Sequence, residues 1–112
     1  MARRCRLHYC RTMTAPHKLT DAEIAAELTS ADGWTRAGDK LHRTFKFKDF
    51  VTAFSFMAGS ALIAERMNHH PEWFNVYHTV RIDLATHDAG GITKLDFELA
   101  RAMNDVAKPL LG

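Results

Sequence analysis

Apolar and polar residues alternate strictly from Leu41 to Phe47, which is the pattern of a β-strand with one buried face. Arg43 is the one charged residue among the inward positions of that run. A turn at Gly38-Asp39 connects the run to an earlier strand that begins at Trp34. A second pair of strands covers residues 73–84, with its turn near 77–79. The pattern therefore predicts two β-hairpins, each with one side against a core.

Three segments carry the signals of helices. Thr20 and Glu23 form a capping box, which predicts a helix from there to about Thr29. The segment from about 48 to 68 lacks proline and repeats its apolar residues at helical spacing. Thr93 offers the cap of a last helix, which ends before Pro109. The predicted element order is therefore α-β-β-α-β-β-α.

Adjacent hairpins, rather than strict alternation of strand and helix, favour the α+β class. We predict a four-stranded antiparallel sheet with three helices packed on one face. No internal repeat or low-complexity block divides the chain, and 112 residues are enough for one domain. We assign residues 20–112 to this domain and residues 1–19 to a basic tail, which we expect to be flexible.

The central helix is apolar around more of its circumference than one sheet can cover. One stripe consists of Phe50, Phe54, Met57, Ala61 and Ala64. A second stripe consists of Ala53, Phe56, Ile63 and Met67. A third helix or a partner subunit would explain the surplus equally well. A homodimer or homotetramer, or another protein docked on the Phe50–Met67 helix, is the partner that this helix predicts.

Charge and cysteine content narrow the class of protein. The net charge is +2, but residues 1–19 contribute five basic residues and no acid, so the domain itself is mildly acidic. Direct binding of nucleic acid by the domain is therefore not expected. The two cysteines, Cys5 and Cys10, lie in the tail and are expected to be free thiols. Without a long apolar run, no membrane association is expected either.

The compartment predicted from these features is the cytoplasm, with the nucleus as a further location. An arginine-rich, acid-poor start also occurs in organellar targeting segments. A leader upstream of a second start at Met13 is the explanation that we favour. Targeting by residues 1–19 therefore stays open.

The histidine pair at positions 69 and 70 is the most informative chemical feature of the chain. Pro71 disfavours the helical conformation in the residue before it, so His70 should be extended while His69 still lies at the helix end. A helix C-terminus favours a protonated imidazole, and Glu65, one turn earlier, is placed to orient His69. His69 is therefore a candidate general acid.

His87 leaves the last strand just before a Gly-Gly loop, so we expect it at the rim of the sheet beside Asp88. A rim histidine suits proton transfer near neutral pH. Taken alone, a histidine near a loop is more often an ordinary surface residue. A metal site is the sharper alternative, but adjacent histidines chelate one ion poorly, and no spaced metal motif accompanies them. We therefore expect no metal here.

Three stretches resemble the signature of the pterin-4a-carbinolamine dehydratase family. They are His69-His70-Pro71-Glu72-Trp73-Phe74-Asn75-Val76-Tyr77, then Val80-Arg81-Ile82-Asp83-Leu84, and finally Thr86-His87-Asp88-Ala89-Gly90-Gly91-Ile92-Thr93. The segment Phe45–Phe50 is similar to the strand and helix that precede the signature in the family. The likeness covers about residues 20–108 in one register.

The resemblance implies a hydro-lyase that removes water from a 4a-hydroxytetrahydropterin, such as 4a-hydroxytetrahydrobiopterin, to give the quinonoid dihydropterin. This reaction sustains tetrahydrobiopterin recycling after aromatic amino acid hydroxylation and needs no cofactor. The resemblance implies catalytic roles for His69, His70 and His87. It implies substrate contacts for Glu65, Trp73, Ala85, Thr86 and Asp88, with Glu65 and Asp88 orienting or binding.

The alternative function is that of an oligomeric interaction protein, such as a transcriptional coactivator or an assembly factor, acting through the Phe50–Met67 helix. Some members of the family that this chain resembles bind a transcription factor in this way. The three retained histidines favour the enzyme over a purely noncatalytic role.

Overall fold

The computed structural model describes residues 16–112. Its helices are α1 (Asp21–Leu28), α2 (Phe50–Met67) and α3 (Lys94–Ala107), and its strands are β1 (Thr35–Ala37), β2 (Lys40–Lys46), β3 (Glu72–Val76) and β4 (Thr79–Leu84). Short 3₁₀ turns follow at His87–Ala89 and Lys108–Leu110. The predicted order and the α+β class are confirmed.

The four strands form one antiparallel sheet in the order β1-β2-β4-β3. Leu41 is opposite Leu84 and Phe45 is opposite Val80, and these four side chains are almost fully buried. The alternation that predicted β2 therefore describes the face that the helices cover. The other face of the sheet has no helix against it among the described elements and carries mostly polar side chains.

Arg43 lies on the buried face among apolar neighbours. Its guanidinium carbon is 4.1 Å from the centre of the Phe45 ring. Its Nη1 donates to the carbonyl of Asp32 at 2.6 Å and to Oδ1 of Asn104 at 2.7 Å. Burial lowers the pKa of Arg43, which the nearby Asp32 partly offsets. The guanidinium is thus a hydrogen-bonded tie between the sheet, α3 and the loop after α1.

Helix α2 begins at the cap Asp49, whose side chain accepts the amide of Thr52 at 2.8 Å. Its buried face carries Ala53, Phe56 and Ala64. Helix α3 packs along another side, where a Cβ on Gly59 would come within 3.1 Å of Val106. A third helix therefore accounts for part of the apolar surface.

The outer face of α2 remains uncovered. We use this name for Val51, Phe54, Ala58 and Leu62, which follow one another at spacings of three, four and four and are all exposed. Leu62 is 73% exposed and Val51 71%. Only Phe56 and Ala53 of the second predicted stripe, and Ala64 of the first, are fully buried. The two stripes therefore do not correspond to a buried and an exposed face.

The ordered body includes Leu19, one residue before the predicted boundary at Thr20. Leu19 is buried, and its amide donates to the carbonyl of Ile92 at 2.9 Å. The rest of the predicted tail up to residue 15, with Cys5 and Cys10, lies outside the described residues. Within residues 16–112, no helix is long and apolar enough to cross a membrane.

Candidate active site

His69 lies directly after the end of α2. Asn68 ends the helix in the left-handed conformation (φ 52°, ψ 42°), which asparagine tolerates better than most residues. The His69 amide then donates to the carbonyl of Ala64 at 3.0 Å. This turn directs the imidazole into the fold, where the residue is only 9% exposed. The predicted place at the helix end is confirmed.

The partner of His69 is Asp96 in the first turn of α3. Nε2 of the imidazole is 2.6 Å from Oδ1 of this fully buried carboxylate. A carboxylate oxygen accepts hydrogen bonds, so this contact favours the tautomer with the proton on Nε2. The carboxylate therefore fixes both the tautomer and the orientation of His69.

The second oxygen of Asp96 is also occupied. Oδ2 accepts the Thr93 amide at 2.9 Å, which closes the capping box of α3. It also accepts the Thr86 hydroxyl at 2.9 Å, and Thr86 and Thr93 share a hydroxyl contact of 2.7 Å. A buried carboxylate with this many donors stays stable inside the fold because its lost hydration is replaced.

Glu65 does not orient His69, so this prediction is wrong. Oε1 of Glu65 is 2.8 Å from Nε2 of His70, and both side chains are exposed. The left-handed Asn68 ends the helical spacing, so the residue four positions after Glu65 turns inward and the one five positions after it lies outside. Glu65 therefore contacts the second histidine of the pair.

His87 begins a 3₁₀ turn at the rim of the sheet. The loop is closed where the Thr86 amide donates to the carbonyl of Gly91 at 2.9 Å, and Gly90 adopts a positive φ of 76°. The His87 side chain is 83% exposed, and its Nε2 is 3.4 Å from Oε2 of Glu72. Asp88, which we expected beside this imidazole, is exposed, and the imidazole contacts Glu72 instead.

Two sets of contacts connect the 69–72 segment to the 86–87 segment. His69 reaches Thr86 through the carboxylate of Asp96, and Glu72 reaches His87 directly. The histidine pair and His87 therefore flank the same end of the sheet, where β3 begins and β4 ends. His69 lies on the helix side of the sheet, whereas the His87–Glu72 contact lies on the face without helices.

The remaining candidates are placed as follows. Trp73 lies opposite Ile82 on the core-facing side of β3 and packs, half-buried, against the core. Phe74 points to the other side and is exposed under the Arg81 guanidinium. Ala85 is half-buried where β4 ends, and the Thr86 hydroxyl is engaged by Asp96. Of the two neighbouring aromatic residues, Trp73 and Phe74, Trp73 is therefore the one that packs against the core.

Three charged residues of this region were not predicted as site residues. They are the carboxylates of Asp96 and Glu72 and the ammonium of Lys40. Asp96 lies in the first turn of the helix that Thr93 caps, and 27 residues separate it from His69. No local pattern marks such a contact. Among residues 16–112, no group of three or more His, Cys, Asp or Glu side chains is arranged to hold a metal ion.

Comparison with known proteins identifies the family of this chain. The family model described as pterin 4 alpha carbinolamine dehydratase matches residues 17–106. A relative from Solibacter usitatus, named "Putative pterin-4-alpha-carbinolamine dehydratase", is 56% identical over 90 residues, which cover 80% of this chain and 95% of that protein. A relative of the same name from Rhizobium johnstonii is 53% identical over 92 residues, covering 80% and 91%.

A solved structure has the same fold. The crystal structure of a "transcriptional coactivator/pterin dehydratase" from Brucella melitensis superposes with a TM-score of 0.80 at 49% identity, covering 81% of this chain and 99% of that one. The fold and the matched residues define a small α+β protein of the dehydratase class. The chain belongs to the pterin 4 alpha carbinolamine dehydratase family.

Proposed function

We propose that this protein is a 4a-hydroxytetrahydrobiopterin dehydratase that works by histidine acid/base catalysis and supports tetrahydrobiopterin recycling in the cytoplasm. The observation that carries the proposal is the buried His69–Asp96 pair, at 2.6 Å, beside the rim that holds His87. Family membership supplies the reaction class, and this pair supplies an imidazole with a fixed tautomer.

The reaction requires two proton transfers and no change of oxidation state. The C4a–oxygen bond breaks, the leaving hydroxyl takes a proton and departs as water, and N5 of the pterin loses its proton to give the quinonoid product. One imidazolium and one neutral imidazole are sufficient for this, and each positioned group typically contributes about 10² to 10⁴-fold. We assign the proton transfers to His69 and His87.

The other residues have binding roles in this proposal. His70, held by Glu65 at 2.8 Å, lies outside the fold next to His69 and can donate to or accept from the pterin. The backbone of Ala85, where β4 ends, can pair with the pterin ring, whereas the Thr86 amide and carbonyl are engaged within the 86–91 loop. Trp73 acts from the core side by supporting the start of β3, and Asp88 contributes charge at the rim.

The test is dehydration of chemically generated 4a-hydroxytetrahydropterin, followed by absorbance after addition of the purified protein. We expect acceleration over buffer, and loss of most of it in a His69→Ala, His87→Ala double variant. His78→Ala is the matched control, because His78 lies at the β3-β4 turn, at the far end of β3. No acceleration, or full activity in the double variant, would contradict the proposal.

We also propose that the outer face of α2 binds a second copy of this chain, giving a homodimer or homotetramer. The specific observation is that helix α2 has no charged residue from Phe50 to Ala64, while Val51, Phe54 and Leu62 are exposed. A neutral apolar face gains little from a charged partner and is complementary to itself. Light scattering would test this, and a strict monomer would contradict it.

The coactivator part of the Brucella protein's description raises an interaction role for the same face. That role stays second to the enzyme, because the buried His69–Asp96 pair has no use in docking. Dehydration by the purified chain and its mass in solution separate the two roles, since each can be present without the other.

A further inference from the structure

A row of three charged or titratable side chains crosses the sheet end on the face without helices. Lys40 of β2, Glu72 of β3 and His87 of the rim loop follow one another in contact. We propose that Glu72 is a positioning residue for His87 and that Lys40 sets how strongly it acts. The inference rests on the dehydratase function proposed above, because it assigns a role at the same site.

The register of the sheet explains why these residues meet. Glu72 lies opposite Asp83, and Asp83 lies opposite His42, so all three project from the uncovered face. Lys40 shares that face, being two residues from His42. The Asp83 carboxylate is engaged by Nδ1 of His42 at 3.0 Å. The Lys40 side chain extends past the end of β4 to Glu72 instead.

The Lys40–Glu72 contact is short. Nζ is 2.6 Å from Oε1, and both side chains are somewhat under half exposed. This hydrogen bond raises the pKa of Lys40, so the ammonium stays charged over the whole neutral range. One carboxylate oxygen is thereby held in place, which directs the other toward the rim.

The contact to His87 is longer. Oε2 of Glu72 is 3.4 Å from Nε2 of the imidazole, which is beyond an ideal charge-assisted hydrogen bond but within ion-pair range. Because the backbone of His87 is fixed by the Thr86–Gly91 closure, the ring can turn only about its side-chain bonds. A carboxylate on one side limits that rotation and places a negative charge 3.4 Å from Nε2.

Other charges surround His87. Asp88 follows it in the same turn, Asp83 lies beside Lys40, and the Lys18 side chain packs over Gly91. None of these three side chains makes a polar contact with the imidazole, whereas Glu72 does. Glu72 is therefore the group whose removal should change the behaviour of this ring most.

The arrangement has a signature that a merely structural role would not produce. Removing the carboxylate in Glu72→Gln takes stabilisation from the protonated imidazole. Removing the ammonium in Lys40→Met takes away a positive charge that disfavours protonation of the same imidazole. The two variants should therefore shift the titration of His87 in opposite directions.

The test is NMR titration of the His87 ring in the full chain. We expect the pH midpoint to fall in Glu72→Gln and to rise in Lys40→Met. Lys46→Met is the matched control, since Lys46 lies on the same face of β2 and pairs with Thr79 at the other end of the strand. It should leave the midpoint unchanged.

Dehydration kinetics complete the test. We expect kcat to fall on the order of ten-fold in Glu72→Gln, with the limb of the pH–rate profile that follows His87 displaced in the same direction as the NMR midpoint. Shifts of the same sign in both variants, or a Glu72→Gln profile that matches the parent protein, would overturn the inference. If neither the parent protein nor any variant dehydrates the pterin, the proposed dehydratase function is wrong. Opposite NMR shifts in the two variants would then still show that Glu72 controls the titration of His87.

Discussion

The imidazole of His69 and the carboxylate of Asp96 form a hydrogen bond of 2.6 Å inside the fold, between the end of α2 and the first turn of α3. The same carboxylate closes the cap of α3 through the Thr93 amide. Asp96 therefore has two functions. It orients a candidate catalytic histidine, His69, and it stabilises α3, the helix to which Asp96 itself belongs.

Replacing this carboxylate should reduce both stability and activity. In Asp96→Asn, an amide group faces donors that the carboxylate accepted, so one buried donor loses its partner at a cost of about 1–3 kcal/mol. We expect a lower free energy of unfolding in urea and a fall in kcat of at least ten-fold. Asp105→Asn, an exposed position on α3, should change neither. Unchanged activity in Asp96→Asn would contradict the orienting role.

Glu65→Gln should separate activity from stability. The Glu65–His70 pair is exposed, and exposed ion pairs contribute at most about 1 kcal/mol and often much less. We therefore expect unfolding to be nearly unchanged while dehydration slows several-fold, through either kcat or KM. A variant that unfolds much more easily would show that Glu65 has a structural role that the contacts do not reveal.

Ser60 offers a stability test inside α2. Its hydroxyl is fully buried and has no hydrogen-bond partner among the described residues. Ser60→Ala removes this unpaired group, so we expect the free energy of unfolding to stay the same or to rise by about 1 kcal/mol. Ser55→Ala, whose exposed hydroxyl donates to the Val51 carbonyl at 2.8 Å, is the comparison. A clear loss of stability in Ser60→Ala would indicate a partner for this hydroxyl.

A charge on the outer face of α2 should break the proposed oligomer. Leu62 is 73% exposed in the single chain, and the proposed oligomer would cover it. Leu62→Glu places a carboxylate at this position. We expect the mass by light scattering to drop to that of the monomer, with the helix content by circular dichroism retained. Leu111→Glu, an exposed leucine away from α2, should keep the mass of the parent protein.

The cap of α2 should make stability dependent on pH in acid. Hydrogen bonds from Thr52 lower the pKa of Asp49 in the folded protein. A lowered folded pKa means that this stabilisation is complete above the unfolded value and is lost as the pH falls through the folded one. Asp49→Ala should therefore lower the melting temperature at pH 7, and the difference should shrink below about pH 4. A difference that is constant from pH 7 to pH 3 would contradict this.

Local patterns were sufficient for most of the fold. The capping boxes at Thr20 and Thr93 and the alternation in β2 depend on neighbours in the chain, and all are present. The positions of the strands along the chain and the buried face of β2 follow from the same short-range rules, whereas the pairing of β2 with β4 joins residues on either side of α2. These features could be predicted because each is decided within a few residues.

The contacts of the site could not be predicted in this way. The partners of His69 and Arg43, Asp96 and Asn104, lie 27 and 61 residues away. The error on Glu65 has a local cause, because one left-handed residue, Asn68, changed which histidine faces it. The direction of a side chain after a helix end depends on the cap, which the histidine pair alone does not reveal.

The cap of α3 also has a consequence for the order of assembly during synthesis. His69 leaves the ribosome 27 residues before the carboxylate that orients it. Until α3 has formed its first turn, the His69 imidazole has no partner that fixes its tautomer, even if the sheet has already formed. The orientation of His69 therefore depends on the formation of α3. A nascent or clipped chain that stops before Asp96 would contain His69 without the carboxylate that orients it.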